Sequence, residues 1–144
     1  MRKNTAILLA CLMLALSGSG QASAHATEKH GKPKRANAQM KKLHDMMPMF
    51  SVATAKLEAA LDKGDAAAVE TEAGRILTAL PDLKKSRPHK NLKQRAKFVA
   101  LAQQQEEAVV AVRDLAKQGD FSGAKAAFKR VEETCAECHA KFRD

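Results

Sequence analysis

The sequence predicts an all-α protein, an antiparallel up-down-up-down four-helix bundle. Three observations carry that prediction. Apolar residues recur at intervals of three and four in four separate stretches. No window alternates apolar and polar residues between turn signals, as a half-buried strand would. Two junctions, Gly64-Asp65 and Gly119-Asp120, share one plan. Glycine there ends one helix in a left-handed cap and aspartate starts the next, so each junction makes a tight helical hairpin. Two such hairpins, joined by residues 81–90, make the bundle.

The first helix is expected over about 39–62, with Leu43, Met47, Phe50, Thr54, Leu57 and Leu61 on one face. Pro48 leaves two starts open. Asp45 could cap a helix whose first turn holds Pro48, or the helix could begin near Gln39 and bend at the proline. The second helix is expected over about 65–80, with Val69, Ala73, Ile76, Leu77 and Leu80 inward. The third covers about 91–117, through Phe98, Val99, Ala102, Val109, Val112 and Leu115. The fourth covers about 121–142, through Ala124, Phe128, Val131, Cys135, Cys138 and Phe142. The bundle domain is thus residues 39–144.

The chain has 144 residues, enough for one domain. Residues 1–24 read as a signal peptide. Arg2 and Lys3 form its basic start, an apolar run follows over 7–16, and Ala22-Ser23-Ala24 is a small-residue cleavage site. The run is well short of the ~20 residues of a membrane span, and no other segment is apolar enough to make one. A mature chain beginning at His25 is expected in the periplasm, with residues 25–38 as a mobile polar tail. His25 and His30 in that tail carry no reading beyond a stray metal. Removing Arg2 and Lys3 from the formal +9 leaves +7. Export and the lack of Trp and Tyr for base stacking argue against nucleic acid. Cleavage also removes Cys11, so no structural disulfide is available to Cys135 and Cys138.

Those two cysteines belong to Cys135-Ala136-Glu137-Cys138-His139. Cys-x-x-Cys-His is the attachment pattern of a c-type haem. Two thiols add to the two vinyl groups of one porphyrin, and their helical spacing puts both sulfurs along one ring edge. The adjacent histidine is placed to donate its imidazole to the iron. A redox dithiol would need a strand before the motif and a βαβ setting, and a zinc site would need a second ligand cluster. Neither is visible. No catalytic constellation stands out either: there is no supported Ser-His-Asp set, phosphate-binding loop or paired carboxylate. The chain does not read as an enzyme. With five Phe and a modest core, the protein without its cofactor is expected to be poorly packed.

From Gly119-Asp120, through Ala126-Ala127-Phe128 and Cys135-x-x-Cys138-His139, to Phe142-Arg143, the last quarter of the chain resembles the cytochrome c′ family, the class II c-type cytochromes. The resemblance is specific in the last helix and weak in the first two. It implies one covalently bound haem c, held by Cys135 and Cys138, with His139 as proximal iron ligand. It also implies a distal residue on the first helix. An apolar distal residue leaves the iron five-coordinate and open to small gases such as nitric oxide, whereas Met makes it six-coordinate and suited to passing electrons. Counting core positions back from the Gly64 hairpin puts the distal site at Met47. Met40, Met46, Met49 and His44 lie within a slip of register, and gap-filling in the core is the commonest use of methionine. The family often carries Arg four residues before the distal position, and none stands there in this chain. Family members often pair through the first two helices, so a homodimer is one expectation.

Between Lys84 and Lys97 stand seven basic residues and no acid. Two readings stay open: a docking patch for an acidic redox partner, and an ordinary solvated loop and helix start. His89, in the same stretch, is expected to stay clear of the cofactor.

Overall fold

The computed structural model describes residues 34–143, with side chains from Ala38 onward. Four helices account for nearly all of it: α1 (Lys34–Lys63), α2 (Ala66–Lys85), α3 (Arg95–Lys117) and α4 (Phe121–Phe142). One 3₁₀ turn, Leu92–Gln94, leads into α3. No strand occurs among the described residues. The signal peptide and most of the expected tail lie outside them.

Both hairpins close as their sequences dictate. Gly64 and Gly119 take φ of 67° and 79°, the left-handed region that glycine enters at least cost. The next amide reaches back five residues in each case, Asp65 to the Ala60 carbonyl and Asp120 to that of Leu115, both at 3.0 Å. This is the Schellman closure. The same aspartates then cap the following helices. Asp65 Oδ1 accepts from the Ala68 amide at 3.0 Å, and Asp120 Oδ1 from the Gly123 amide at 2.8 Å. Each cap satisfies an amide that the first helical turn would leave orphaned.

Three element boundaries differ from expectation. First, α1 begins at Lys34, inside the stretch expected as tail, and Asp45 is not a cap. It lies within the helix and accepts from Lys41 Nζ at 2.6 Å, so the earlier of the two possible starts is the one taken. Second, α2 runs through Pro81 to Lys85. Pro81 costs that helix one amide donor, but burial of Leu83 and closure by Ser86, whose amide donates to the carbonyls of Asp82 and Leu83, carry it onward. Arg95 then donates to the carbonyls of Lys84 and Ser86, satisfying the end of α2 from the start of α3. Third, α3 proper starts at Arg95, because Asn91 turns left-handed with φ 55° before the 3₁₀ turn.

The core runs along the bundle axis. Leu57, Val69, Ile76, Leu80, Val109, Val112 and Val131 are sealed from solvent within it. Successive helices pack closely, α1 on α2, α2 on α3 and α3 on α4. The closing pair, α1 and α4, meets sparingly. The bundle therefore stays open along one side.

Candidate haem site

A cavity of about 1010 Å³ lies in that opening. That is the upper end of the size range of small-molecule and cofactor pockets, ~300–1,000 Å³. Its α4 wall is Cys135, Cys138, His139, Phe142 and Arg143. Its α1 wall is a helical stripe that includes Leu43, His44, Met47, Phe50, Ser51, Thr54 and Glu58. These are spaced by one to four residues, so one face of α1 looks across at the motif. Leu83, Phe98 and Gln105 complete the interior, and Pro88 and His89 come from the connection before α3.

The cysteines and His139 thus share one wall, and of the candidates on the facing helix, Met47 and His44 reach the lining. Met46 is buried in the core instead, and Met49 packs against it. Helix geometry explains the separation: neighbours in sequence are about 100° apart around the axis, so Met46 and Met47 cannot serve the same face equally. His44 is committed elsewhere. Its Nε2 lies 3.1 Å from His89 Nε2, across the edge of the cavity.

His89 is the clearest departure from expectation. The connection does fold over the site. The amides of His89 and Lys90 both donate to the Phe142 carbonyl at 3.3 Å, and Asn91 Nδ2 donates to the Lys141 carbonyl at 2.6 Å. The last carbonyls of α4 have no partner within their own helix, and the connection supplies the donors. Phe98 and Phe142 add an edge-to-face contact with centroids 5.3 Å apart. The final turn of α4, just beyond His139, is thereby tied down. Sequence reading also missed Gln105, a buried amide at a position where the α3 stripe calls for an apolar residue. Its place between Ala102 and Ala108 was the available signal.

The electrostatics separate cofactor attachment from thiol redox chemistry. Burial, and then the charge of Glu132, raise the Cys135 thiol above its ordinary value. Burial, Cys135 and Glu137 push Cys138 up to about 11. A reactive redox dithiol needs the opposite shift, toward thiolate near neutrality. His139 moves the other way: burial, then the nearby Arg143 charge, hold its imidazole below the usual value. The neutral ring is the form that binds a metal. No group of three or more His, Cys, Asp or Glu suited to a metal ion occurs among the described residues, so the two cysteines are not part of a multi-ligand zinc cluster there.

The residues present fit a haem. A largely apolar slot would take the ring where the α1–α4 contact is sparse, two thiols stand one helical turn apart at its wall, and an imidazole follows directly. A four-helix bundle opened along one side, with Cys-x-x-Cys-His in the wall of the opening, defines a c-type cytochrome of helical-bundle type. Residues 84–143, from the end of α2 through α4, match the family model described as Cytochrome C'. The matched stretch contains the Cys135-x-x-Cys138-His139 motif, the attachment pattern for one covalently bound haem c. No curated protein and no solved structure matches the chain significantly.

Proposed function

We propose that the protein is an exported electron carrier, not an enzyme, in which Cys135 and Cys138 hold the haem by thioethers and His139 and Met47 are the axial ligands of its iron. When bound, that group supplies a reversible one-electron couple whose potential follows from its axial ligands and burial. Met47 carries the reading: it lines the cavity from α1, facing the wall that holds His139. The commitment of His44 Nε2 to His89 favours the thioether over the imidazole as distal donor. The chain's own residues do the rest. Leu43, Phe50, Phe98 and Phe142 exclude water from the slot, and the carbonyl contacts of residues 89–91 fix the turn of α4 after His139.

Export through residues 1–24 to the periplasm belongs to the same reading. No helix among the described residues is long and apolar enough to cross a membrane. For a partner we propose an acidic redox protein. Within the basic stretch, Lys84 pairs with Glu106 at 2.7 Å, Lys97 with Glu137 at 3.1 Å, and Arg95 is spent on carbonyls. Arg87, Lys90 and Lys93 have no such ion pair among the described residues and flank His89 in the chain, at the cavity edge. Cations left unpaired beside a redox site favour an acidic surface and raise its rate of encounter.

The test is an optical spectrum of the oxidised protein. A Met-ligated iron shows a weak near-infrared sulfur-to-iron charge-transfer band, and Met47→Ala should abolish it and leave a high-spin haem. A parent protein that is already high-spin, and unchanged by Ala at Met40, Met46, Met47 and Met49, would replace this reading with a five-coordinate, gas-binding one.

A further inference from the structure

We propose that His44 and His89 form a second metal site, a two-imidazole seat for a divalent cation such as Zn(II), distinct from the haem ligands. The site is the junction of two separately anchored elements. His44 sits on α1, and His89 follows the fully buried Pro88 on a connection held to α4 by backbone bonds. Both rings reach the cavity edge, where water can fill the remaining coordination positions.

The spacing suits chelation. Imidazole nitrogens bind such a cation at ~2.0–2.1 Å, which puts two of them ~2.9 Å apart at a right angle and ~3.4 Å apart at the tetrahedral angle. The two Nε2 atoms are 3.1 Å apart. The ring centroids are 5.0 Å apart and the planes differ by 21°, so the two imidazoles lie side by side with their Nε2 atoms in reach of one cation.

The chemistry balances without an added reagent. As a hydrogen bond, the contact needs one ring protonated at Nε2 and donating to the bare Nε2 of the other. To bind a cation, the protonated ring shifts its proton from Nε2 to Nδ1, and both Nε2 lone pairs then face the metal. No bond to carbon changes and no electron moves. Imidazole suits Zn(II), Ni(II) and Cu(II), whereas carboxylate-preferring Mg(II) and Ca(II) should be rejected. The bound cation would clip α1 to the connection across the cavity mouth.

Isothermal titration of the holoprotein with zinc chloride tests this. The expected result is one Zn(II) per chain, with affinity reduced at least ~10-fold in His44→Gln and in His89→Gln, the loss already caused by removing outer-shell partners of a metal. Circular dichroism establishes that each variant is folded. The double variant His25→Ala/His30→Ala should bind as the parent does. No zinc binding by the parent, binding that survives either Gln variant, or binding lost only with His25 and His30 would each overturn the proposal. Met47→Ala should leave zinc affinity intact, so the failure of the haem-ligand reading and the failure of this one are separately visible.

Discussion

Met46 and Met47 are adjacent in sequence and should respond to truncation in opposite ways. Met46 is only 8% exposed and belongs to the core cluster between the helices. Met→Ala at such a site removes buried apolar volume that the neighbours refill only in part, at a cost of ~2–5 kcal/mol. In a domain of this size each kcal/mol lowers the melting temperature by ~4–8 °C. Met46→Ala should therefore melt at least ~8 °C below the parent. Its oxidised spectrum should be the parent's. Met47 is half-buried and faces the cavity. Met47→Ala removes less packed surface, so its apolar loss should stay near ~1–2 kcal/mol, but it takes away the proposed sulfur donor. Thermal melts followed by circular dichroism, together with visible and near-infrared spectra of both holoproteins, separate the two effects. A spectral change in Met46→Ala with none in Met47→Ala would refute the assignment of faces on α1.

Three further outcomes follow from the hairpins and the surface. Asp65→Ala removes the side-chain acceptor of the Ala68 amide and should cost ~1 kcal/mol, read as a lowered urea midpoint with an unchanged slope. Gly119→Ala meets no neighbouring atom, so any loss comes from the left-handed backbone alone and should be ~1–2 kcal/mol; no loss would mean that the turn had rearranged. Glu70 accepts from Lys117 Nζ at 2.8 Å, and that bond, followed by the Lys117 charge, holds its carboxyl below the usual glutamate value. A carboxyl depressed in the folded state adds stability above its unfolded pKa and loses it as pH falls through the folded one. NMR titration should show Glu70 protonating late on acidification, and Lys117→Met should return it toward the ordinary range.

Much of the architecture was legible because local chemistry and global fold agree. The Gly-Asp pairs at 64–65 and 119–120 carry cap and turn in two residues each, and the 3.6-residue periodicity of the inward faces needs no tertiary information. The boundaries that shifted are those set by contacts distant in sequence. α2 passes Pro81 because Leu83 finds a core and Arg95 caps the end of the helix from the next one, and neither fact is local. The facing of Met47 toward the cavity followed from counting back along one continuous helix. His89 was misjudged because its place depends on orphaned carbonyls at residues 141 and 142, about fifty residues away. Gln105 was missed because its place in an apolar stripe marks it as odd but gives no reason for it, and the reason, a cavity beside it where α1 and α4 meet sparingly, is tertiary.

The proposed electron-carrier role depends on a haem bonded to Cys135 and Cys138, and mass spectrometry of the mature chain under denaturing, reducing conditions measures that bond directly. The mass should exceed that of the polypeptide by one haem. Cys135→Ala and Cys138→Ala should each prevent stable attachment. A parent chain that releases its haem under those conditions, or never carries one, would contradict the assignment.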